Sequence, residues 1–501
     1  MSTSVDSPPP MPGGEGSLPG VAGGNDLRRD LKARHLNMIA IGGAIGTGLF
    51  LASAGSIKDA GPGGALVAYA VIGFMVWLLM QSLGEMSTYL PLANSFEAYG
   101  TRFVSPSFGF AQGWNYWINW AVTVAAEIAA AGIIVSYWWP DVDQRLVAMV
   151  FFAVLFTINA VSVKAFGESE FLFSSIKVLT VLVFLVVGVL MIFGIMTDAP
   201  GTKNWTTGDA PFVGGFTGLI SIFMIAGFSF QGTEMIGVAA GEADEPEKTI
   251  PKAIRAVFFR ILLFYVGAFI VIGFLLPYTD PKLAKSADGD ITASPFTLIF
   301  EKAGVVGAAS VMNAVILTAI LSAGSSGLYV STRMLYSLAQ SGKAPKIFLR
   351  TNKRHVPMLA LLATAGVALA CYGLSLASED AYTWLVNASG LAGFITWCGI
   401  AWSHLKFRRA YVAQGGDIAD LPFRAKWFPL GPIVALVMCA VVIVLQNSDL
   451  IFEGTVEPGG LLESYIFLPI FLAVWAGHKL VTKSKKVEPL EADLTRTRNH
   501  D

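Results

Sequence analysis

The sequence predicts an all-α polytopic membrane protein with twelve transmembrane helices. Three observations support this fold class: an apolar composition, twelve separate apolar stretches, and basic residues concentrated in alternate loops. Of the 501 residues, 54% are hydrophobic and only 14% are charged, whereas ordinary soluble domains carry about 25% charged residues. A large soluble core is therefore excluded.

Each apolar stretch is long enough to cross the hydrocarbon layer, which takes about 20 mostly apolar residues. Spans 1 to 12 are predicted at residues 37–57, 63–89, 107–137, 144–163, 170–197, 213–241, 257–277, 303–335, 357–377, 383–405, 428–447 and 461–482. Residues 1–26 are rich in Pro, Gly and Ser and have neither a basic start nor an apolar run. We expect a disordered tail there rather than a signal peptide. The predicted membrane domain covers residues 27–482, and a second tail covers residues 483–501.

The distribution of Lys and Arg predicts the orientation, because basic residues stay on the cytoplasmic side of short loops. With the N-terminus inside, the inward segments hold 27 of the 34 basic residues and the outward segments hold 6; the remaining one, Lys177, lies within span 5. This split predicts that both termini are cytoplasmic and that the number of spans is even. The localisation expected for such a chain is a cell membrane, and in a bacterium the inner membrane.

The sequence motifs give little support for an enzyme or for a metal site. The three cysteines lie within apolar spans, and the five histidines lie at span ends or in tails, without metal-ligand spacing. No nucleophile elbow, phosphate loop or HExxH motif is present. We expect neither a metal site nor a cofactor, and no binding of nucleic acid.

Spans 1 and 6 are interrupted by glycine at corresponding places in the two halves of the chain. The first interruption reads GGAIGTGLF (42–50), and the second reads GFSFQGTE (227–234). A broken helix is tolerated in a membrane only where it lines a cavity or is buried in protein. Paired interruptions are the best sequence indication of a substrate site in a secondary transporter.

The chemistry of the two interruptions complements an amino acid. Free backbone N–H groups in the first, together with the Thr47 hydroxyl, suit an α-carboxylate. Carbonyl groups around Phe228, Ser229 and Gln231 in the second suit an α-ammonium group. For the first interruption alone, close packing of small residues four apart is an equally good explanation.

Ionisable residues deep in apolar spans are functional candidates, since burying a charge in a membrane is costly. Four stand out: Glu85, Glu127, Lys177 and Glu234. Glu85 lies near the end of span 2 and can reach the interface, and Glu127 can also be explained by a packing hydrogen bond. Lys177 is a lone cation, able to carry a proton or to act as a fixed charge.

Span 3 contributes a cluster of aromatic residues, of which Tyr116 and Trp120 are four apart and share a helix face. An interfacial aromatic belt explains other members, such as Tyr137 and Trp138. The face formed by Tyr116 and Trp120 instead suits an alkyl chain, or an ammonium group through cation–π contact worth roughly 0.5–2 kcal/mol.

Several long motifs resemble the amino acid permeases of the amino acid–polyamine–organocation (APC) superfamily. They include GWNYWINWAVT (113–123), GFSFQGTEMIGVAAGEADEPEKTIPKAIR (227–255) and SAGSSGLYVSTRMLYSLAQSGKAP (322–345). The resemblance covers about residues 27–482 and is strongest to the lysine-specific permeases of bacteria. It implies two inverted five-helix repeats, with spans 1 and 6 broken, followed by two further helices.

The resemblance also implies roles for individual residues. Ala44, Thr47 and Gly48 correspond to the backbone site for the α-groups of the substrate, and Phe228 to an aromatic gate. Lys177 matches a lysine that, in proton-coupled members, takes the place of a sodium ion. The resemblance therefore implies proton coupling rather than sodium coupling. The residues implied for substrate selection or coupling are Gln231, Thr233, Glu234 and Glu127.

The sequence as a whole thus leads us to expect a lysine importer that works by alternating access, with a co-transported proton. The lysine side chain would extend along Tyr116 and Trp120, and Glu234 or Glu127 would balance its ε-ammonium group. Import or exchange of another amino acid, such as arginine or histidine, is the main alternative. A lysine-sensing receptor is a weaker one, because the tails and loops are short.

Overall fold

The computed structural model describes residues 38, 45–92, 94–161, 163–240, 245–283, 294–304, 307–377, 381–447 and 464–496, with only the backbone described at 163–165, 239 and 381. All regular structure within these ranges is helical. The tail predicted at 1–26 lies outside the described residues.

The predicted spans correspond to helices. Spans 2 to 5 are Ser53–Tyr89, Pro106–Val135, Gln144–Val161 and Val163–Ile192. Span 7 consists of Pro246–Arg260, a π-helical turn Ile261–Val266 and Gly267–Leu275. Spans 8 to 12 are Ala308–Gln340, Met358–Ser375, Ala381–Ala413, Leu430–Leu445 and Phe467–Thr482. Within the described ranges nine helices are long and apolar enough to cross a membrane, and spans 11 and 12 are shorter apolar helices.

Spans 1 and 6 are divided into short helices. The described part of span 1 holds Thr47–Phe50 and the first turns of Ser53–Tyr89. Gly61 (φ 71°) and the following Pro62 interrupt that long helix, since a positive φ and a missing N–H both break the helical hydrogen-bond pattern. They separate the end of span 1 from span 2. Span 6 comprises Gly215–Ser221, Phe223–Phe230 and Met235–Ala239.

Shorter elements join the spans. A helix, Ser95–Tyr99, and a π-helical turn, Gly100–Val104, connect spans 2 and 3, and Pro295–Lys302 precedes span 8. The 3₁₀ turns are Lys203–Trp205, Lys346–Leu349 and Ile418–Asp420.

Span 3 is the centre of the molecule. It begins at Ser105, whose hydroxyl accepts the Phe108 N–H at 3.1 Å, with Pro106 in its first turn. Spans 4, 8, 9 and 10 pack around it. Spans 4 and 5 lie outside, and span 5 exposes large apolar residues such as Leu179 and Val186. This arrangement places the polar residues of span 3 in the interior and the apolar outer helices against lipid.

Candidate functional site between the two broken helices

At the break in span 6, a backbone N–H is hydrogen-bonded by a carboxylate of the same segment, that of Glu234. Helix geometry ends at Gln231 (φ −57°, ψ 148°), and Gly232 has a φ of 91°, which favours glycine. The freed Gly232 N–H donates to both carboxylate oxygens of Glu234, at 3.2 and 3.1 Å. The Trp397 indole donates to the same group at 3.3 Å, and the buried Arg260 guanidinium interacts with it electrostatically. Glu234 therefore already has donors and a positive charge beside it.

The two broken helices touch through a glycine. A Cβ atom at Gly48 would lie 2.5 Å from the Ser229 Cα and 2.8 Å from its Oγ. Ser229 is held from its other side, because its carbonyl accepts the Tyr265 hydroxyl at 2.7 Å and its Oγ lies 3.0 Å from the Tyr69 hydroxyl. Only glycine fits at position 48 in this arrangement. Ala44, predicted beside it, lies outside the described residues.

A cavity of about 20 Å³ remains between the broken helices and span 3. This is room for about one water, whereas small-molecule sites usually enclose about 300–1,000 Å³. The cavity in this structure is too small for an amino acid, so binding one requires the surrounding helices to separate. The lining residues are Gly46, Gly48, Trp120, Thr123, Glu127, Phe228, Gln231 and Ala323.

Glu127 places a carboxylate in this cavity. The side chain is 2% exposed, and its Oε1 accepts the Thr47 hydroxyl at 3.2 Å. Its Oε2 accepts no hydrogen bond from any described residue. Buried polar atoms are rarely left without a partner, and so this oxygen is the clearest sign of a ligand group in the site.

The aromatic face predicted on span 3 exists. The rings of Tyr116 and Trp120 meet edge to face, with centroids 6.2 Å apart. Trp120 lines the cavity, and Tyr116 lies behind it against Phe96. The neighbouring Asn119 accepts the Ser389 hydroxyl through Oδ1, while its Nδ2 has no acceptor among the described residues.

Two predicted residues of span 6, Gln231 and Thr233, form hydrogen bonds within the protein. The Gln231 amide donates to the Ser389 carbonyl at 2.7 Å, and its Oε1 lies 3.0 Å from the Ser389 hydroxyl oxygen. The Thr233 hydroxyl donates to the Phe230 carbonyl at 2.9 Å. Gln231 lines the cavity and also ties span 6 to span 10, whereas Thr233 stabilises the break.

Lys177 belongs to a buried polar chain behind the cavity. Its ammonium donates to the Ser322 hydroxyl at 2.8 Å, and that hydroxyl donates to the Glu170 carboxylate at 2.8 and 2.7 Å. Ser174 adds a hydrogen bond to Glu170 at 2.9 Å. The side chains are at most 1% exposed. Ser322 directly precedes Ala323, which lines the cavity, so this hydrogen-bonded group begins one residue away from the cavity lining.

Glu170 is a residue that the sequence reasoning missed. It lies seven residues before Lys177, with Ser174 between them, so all three share one face of span 5. A carboxylate, a hydroxyl and a cation on one face of an apolar helix was the available signal. Ser389 on span 10 was also missed, and no local pattern distinguishes it.

Glu85 is buried rather than interfacial. Arg408 contacts it with two guanidinium nitrogens, His404 Nε2 lies 3.1 Å from Oε1, and the Ala425 N–H donates to Oε2 at 2.6 Å. These contacts join span 2 to span 10 and to the loop before span 11, far along the chain from either break.

A helix bundle with two broken helices around a small cavity that holds a buried carboxylate is typical of a secondary transporter. The sequence profile of the amino acid permease family matches residues 35–491. The lysine-specific permease LysP of Escherichia coli is 55% identical over 458 residues, covering 91% of this chain and 94% of that protein. LysP of Lactococcus lactis is 50% identical over 477 residues, covering 94% and 93%. The histidine permease HisP of L. lactis is 46% identical over 474 residues, covering 94% and 99%.

The chain belongs to the amino acid permease family. It is therefore a multi-pass membrane transporter of an amino acid rather than an enzyme, with the twelve-helix fold of the APC superfamily. The predicted family and fold class are confirmed.

Proposed function

We propose that this permease imports L-lysine. The observation that carries the proposal is the buried Glu127 carboxylate, which has one oxygen unpartnered among the described residues and lines the cavity between the broken helices. An ammonium group in such a cavity needs a counter-charge, since an unpaired buried ion is expensive. The names of the relatives with 55% and 50% identity support lysine as the cation.

Glu127 fits the ε-ammonium better than Glu234 does. Glu234 already accepts from Gly232 and Trp397 and lies near Arg260, whereas Glu127 has an oxygen to spare. The alkyl part of lysine would then cross the face of Trp120, and its α-groups would contact the backbone of the two breaks. In this arrangement Glu234 keeps span 6 broken.

The polar chain of Lys177, Ser322 and Glu170 suggests how a proton can be coupled to transport. Lys177 interacts electrostatically with Glu127 as well as with Glu170. Its hydrogen-bond partner Ser322 precedes Ala323, whose Cβ would lie 3.0 Å from a Cβ atom at Gly46. Loss of a proton from Lys177 would remove a positive charge that acts on Glu127, the acceptor of the Thr47 hydroxyl of span 1. We propose proton symport without sodium or a cofactor, with both termini cytoplasmic and, in a bacterium, insertion in the inner membrane.

Uptake of labelled lysine into vesicles that contain only this protein tests the proposal, with pH gradient and membrane potential imposed separately. Symport predicts that an inward proton gradient increases uptake at clamped potential. Uptake that responds only to potential would make the protein a uniporter. Net uptake that requires a trapped internal amino acid would make it an exchanger.

The histidine permease with 46% identity supports histidine as the second candidate substrate. Competition by unlabelled histidine and arginine in the same vesicles separates the candidates. Lysine specificity predicts that neither reduces lysine uptake at moderate excess.

A further inference from the structure

A groove of about 460 Å³ opens on the outer surface of the helix bundle, between spans 2 and 7 and the start of span 11. Its lining is apolar and aromatic, and includes Phe74, Trp77, Phe258, Leu262 and Trp427. The Trp77 and Trp427 rings meet edge to face at 5.7 Å. This volume falls in the range of small-molecule sites and is more than 20 times that of the cavity at the broken helices.

Two backbone irregularities meet in this groove. The π-helical turn Ile261–Val266 forms one wall, and such turns occur frequently at functional sites. Trp427 has a φ of 61°, a conformation that bulky residues rarely adopt. Gly73 lets the walls approach, since a Cβ atom there would lie 2.5 Å from the Ile261 Cγ2. The walls of the groove thus include two irregular backbone segments and are not formed by regular helices alone.

Exposed cations stand at one end of the groove. Arg255 precedes Phe258 by three residues and Leu262 by seven, so it shares their helix face. Lys426 precedes Trp427, and its backbone N–H donates to Gln81 at 3.5 Å, one turn beyond Trp77 on span 2. Neither side chain forms a salt bridge with a carboxylate in the described part of the chain. Arg424 and Lys252, also exposed, add positive charge nearby.

We propose that this groove binds one anionic phospholipid, with an acyl chain along the aromatic wall and the phosphate between Arg255 and Lys426. The apolar groove accounts for the acyl chain. The two cations, which have no carboxylate partner among the described residues, account for the charge of the headgroup. The bound lipid would also be connected to the break of span 6 through one hydrogen bond. Tyr265, on the same π-helical turn, donates to the Ser229 carbonyl at the break of span 6.

This proposal rests on membrane insertion, which the family establishes, and not on lysine as substrate. The test is native mass spectrometry of the full-length chain in detergent, titrated with phosphatidylglycerol or with phosphatidylcholine of the same acyl chains. We expect the wild type to retain one phosphatidylglycerol. Arg255→Gln with Lys426→Gln should weaken retention about 5-fold for each charge removed.

A matched pair, Lys353→Gln with Arg354→Gln, removes the same charge from exposed residues between spans 8 and 9 and should retain the lipid. Ala70→Trp, at an exposed position in the groove, should block the acyl chain while the unfolding temperature stays unchanged. Retention of phosphatidylglycerol by the groove variants as by the wild type would overturn the site. Equal retention of phosphatidylcholine would overturn the preference for an anionic lipid.

Discussion

Glu127→Gln is the sharpest perturbation of the proposed site. The substitution keeps the size of the side chain, and its amide oxygen can still accept the Thr47 hydroxyl, which lies 3.2 Å from Oε1 in the wild type. What disappears is the negative charge of a buried side chain that lines a cavity of about 20 Å³. The fold should therefore persist, while a bound ε-ammonium group loses its counter-charge.

The magnitude follows from the burial of this group. Removing one partner of a buried charge pair at a binding site costs about 2–5 kcal/mol, and each 1.4 kcal/mol is a tenfold change in affinity. A loss near 3 kcal/mol predicts that the KM for lysine rises about 100-fold. Norleucine has a similar alkyl chain without the ammonium group, and its weak competition should become stronger relative to lysine.

Competitive uptake in vesicles measures both effects, with Glu234→Gln as the matched control. Glu234 holds the Gly232 N–H and the Trp397 indole at the break, so its substitution should impair lysine and norleucine alike. An unchanged KM for lysine in Glu127→Gln would refute the assignment. Loss of lysine selectivity in Glu234→Gln instead would transfer the role to that carboxylate.

Three further substitutions test other parts of the structure. Gly48→Ala should abolish uptake, because its Cβ atom would lie 2.5 Å from backbone of the second broken helix; normal uptake would show that the two helices do not meet there. Glu170→Gln should remove the response of uptake to a pH gradient but keep the response to potential, and a preserved pH response in vesicles would contradict its part in coupling. Glu85→Gln leaves the buried Arg408 guanidinium without its carboxylate, a change that costs about 3–5 kcal/mol. Thermal unfolding in detergent should therefore show a lower midpoint, and an unchanged midpoint would remove the structural role of Glu85.

The spans and the two interruptions were predictable because they depend on local chemistry. A membrane span requires about 20 apolar residues in sequence, and a helix break requires residues such as Gly232 that leave helical geometry without strain. Glu127, Lys177 and Glu234 were found for the same reason, since an ionisable side chain in an apolar run stands out in any linear reading of the chain. Glu170 could have been found by its spacing from Lys177. Because it lies at the start of predicted span 5, however, its carboxylate was not distinguishable from that of an interfacial residue.

The sequence by itself determined the class of protein, the number of spans, the places where two of them break, and most of the charged residues near the site. Only the tertiary structure decided what each of those residues contacts. In the tertiary structure, Glu234 contacts the break of its own helix and Trp397, and one oxygen of Glu127 accepts no hydrogen bond from the described residues. Lys177 is joined to Glu170 through Ser322, a residue 145 positions away from Lys177. The physical reason is that hydropathy and helix breaking act over a few residues, whereas hydrogen-bond partners are chosen by packing between helices distant in sequence.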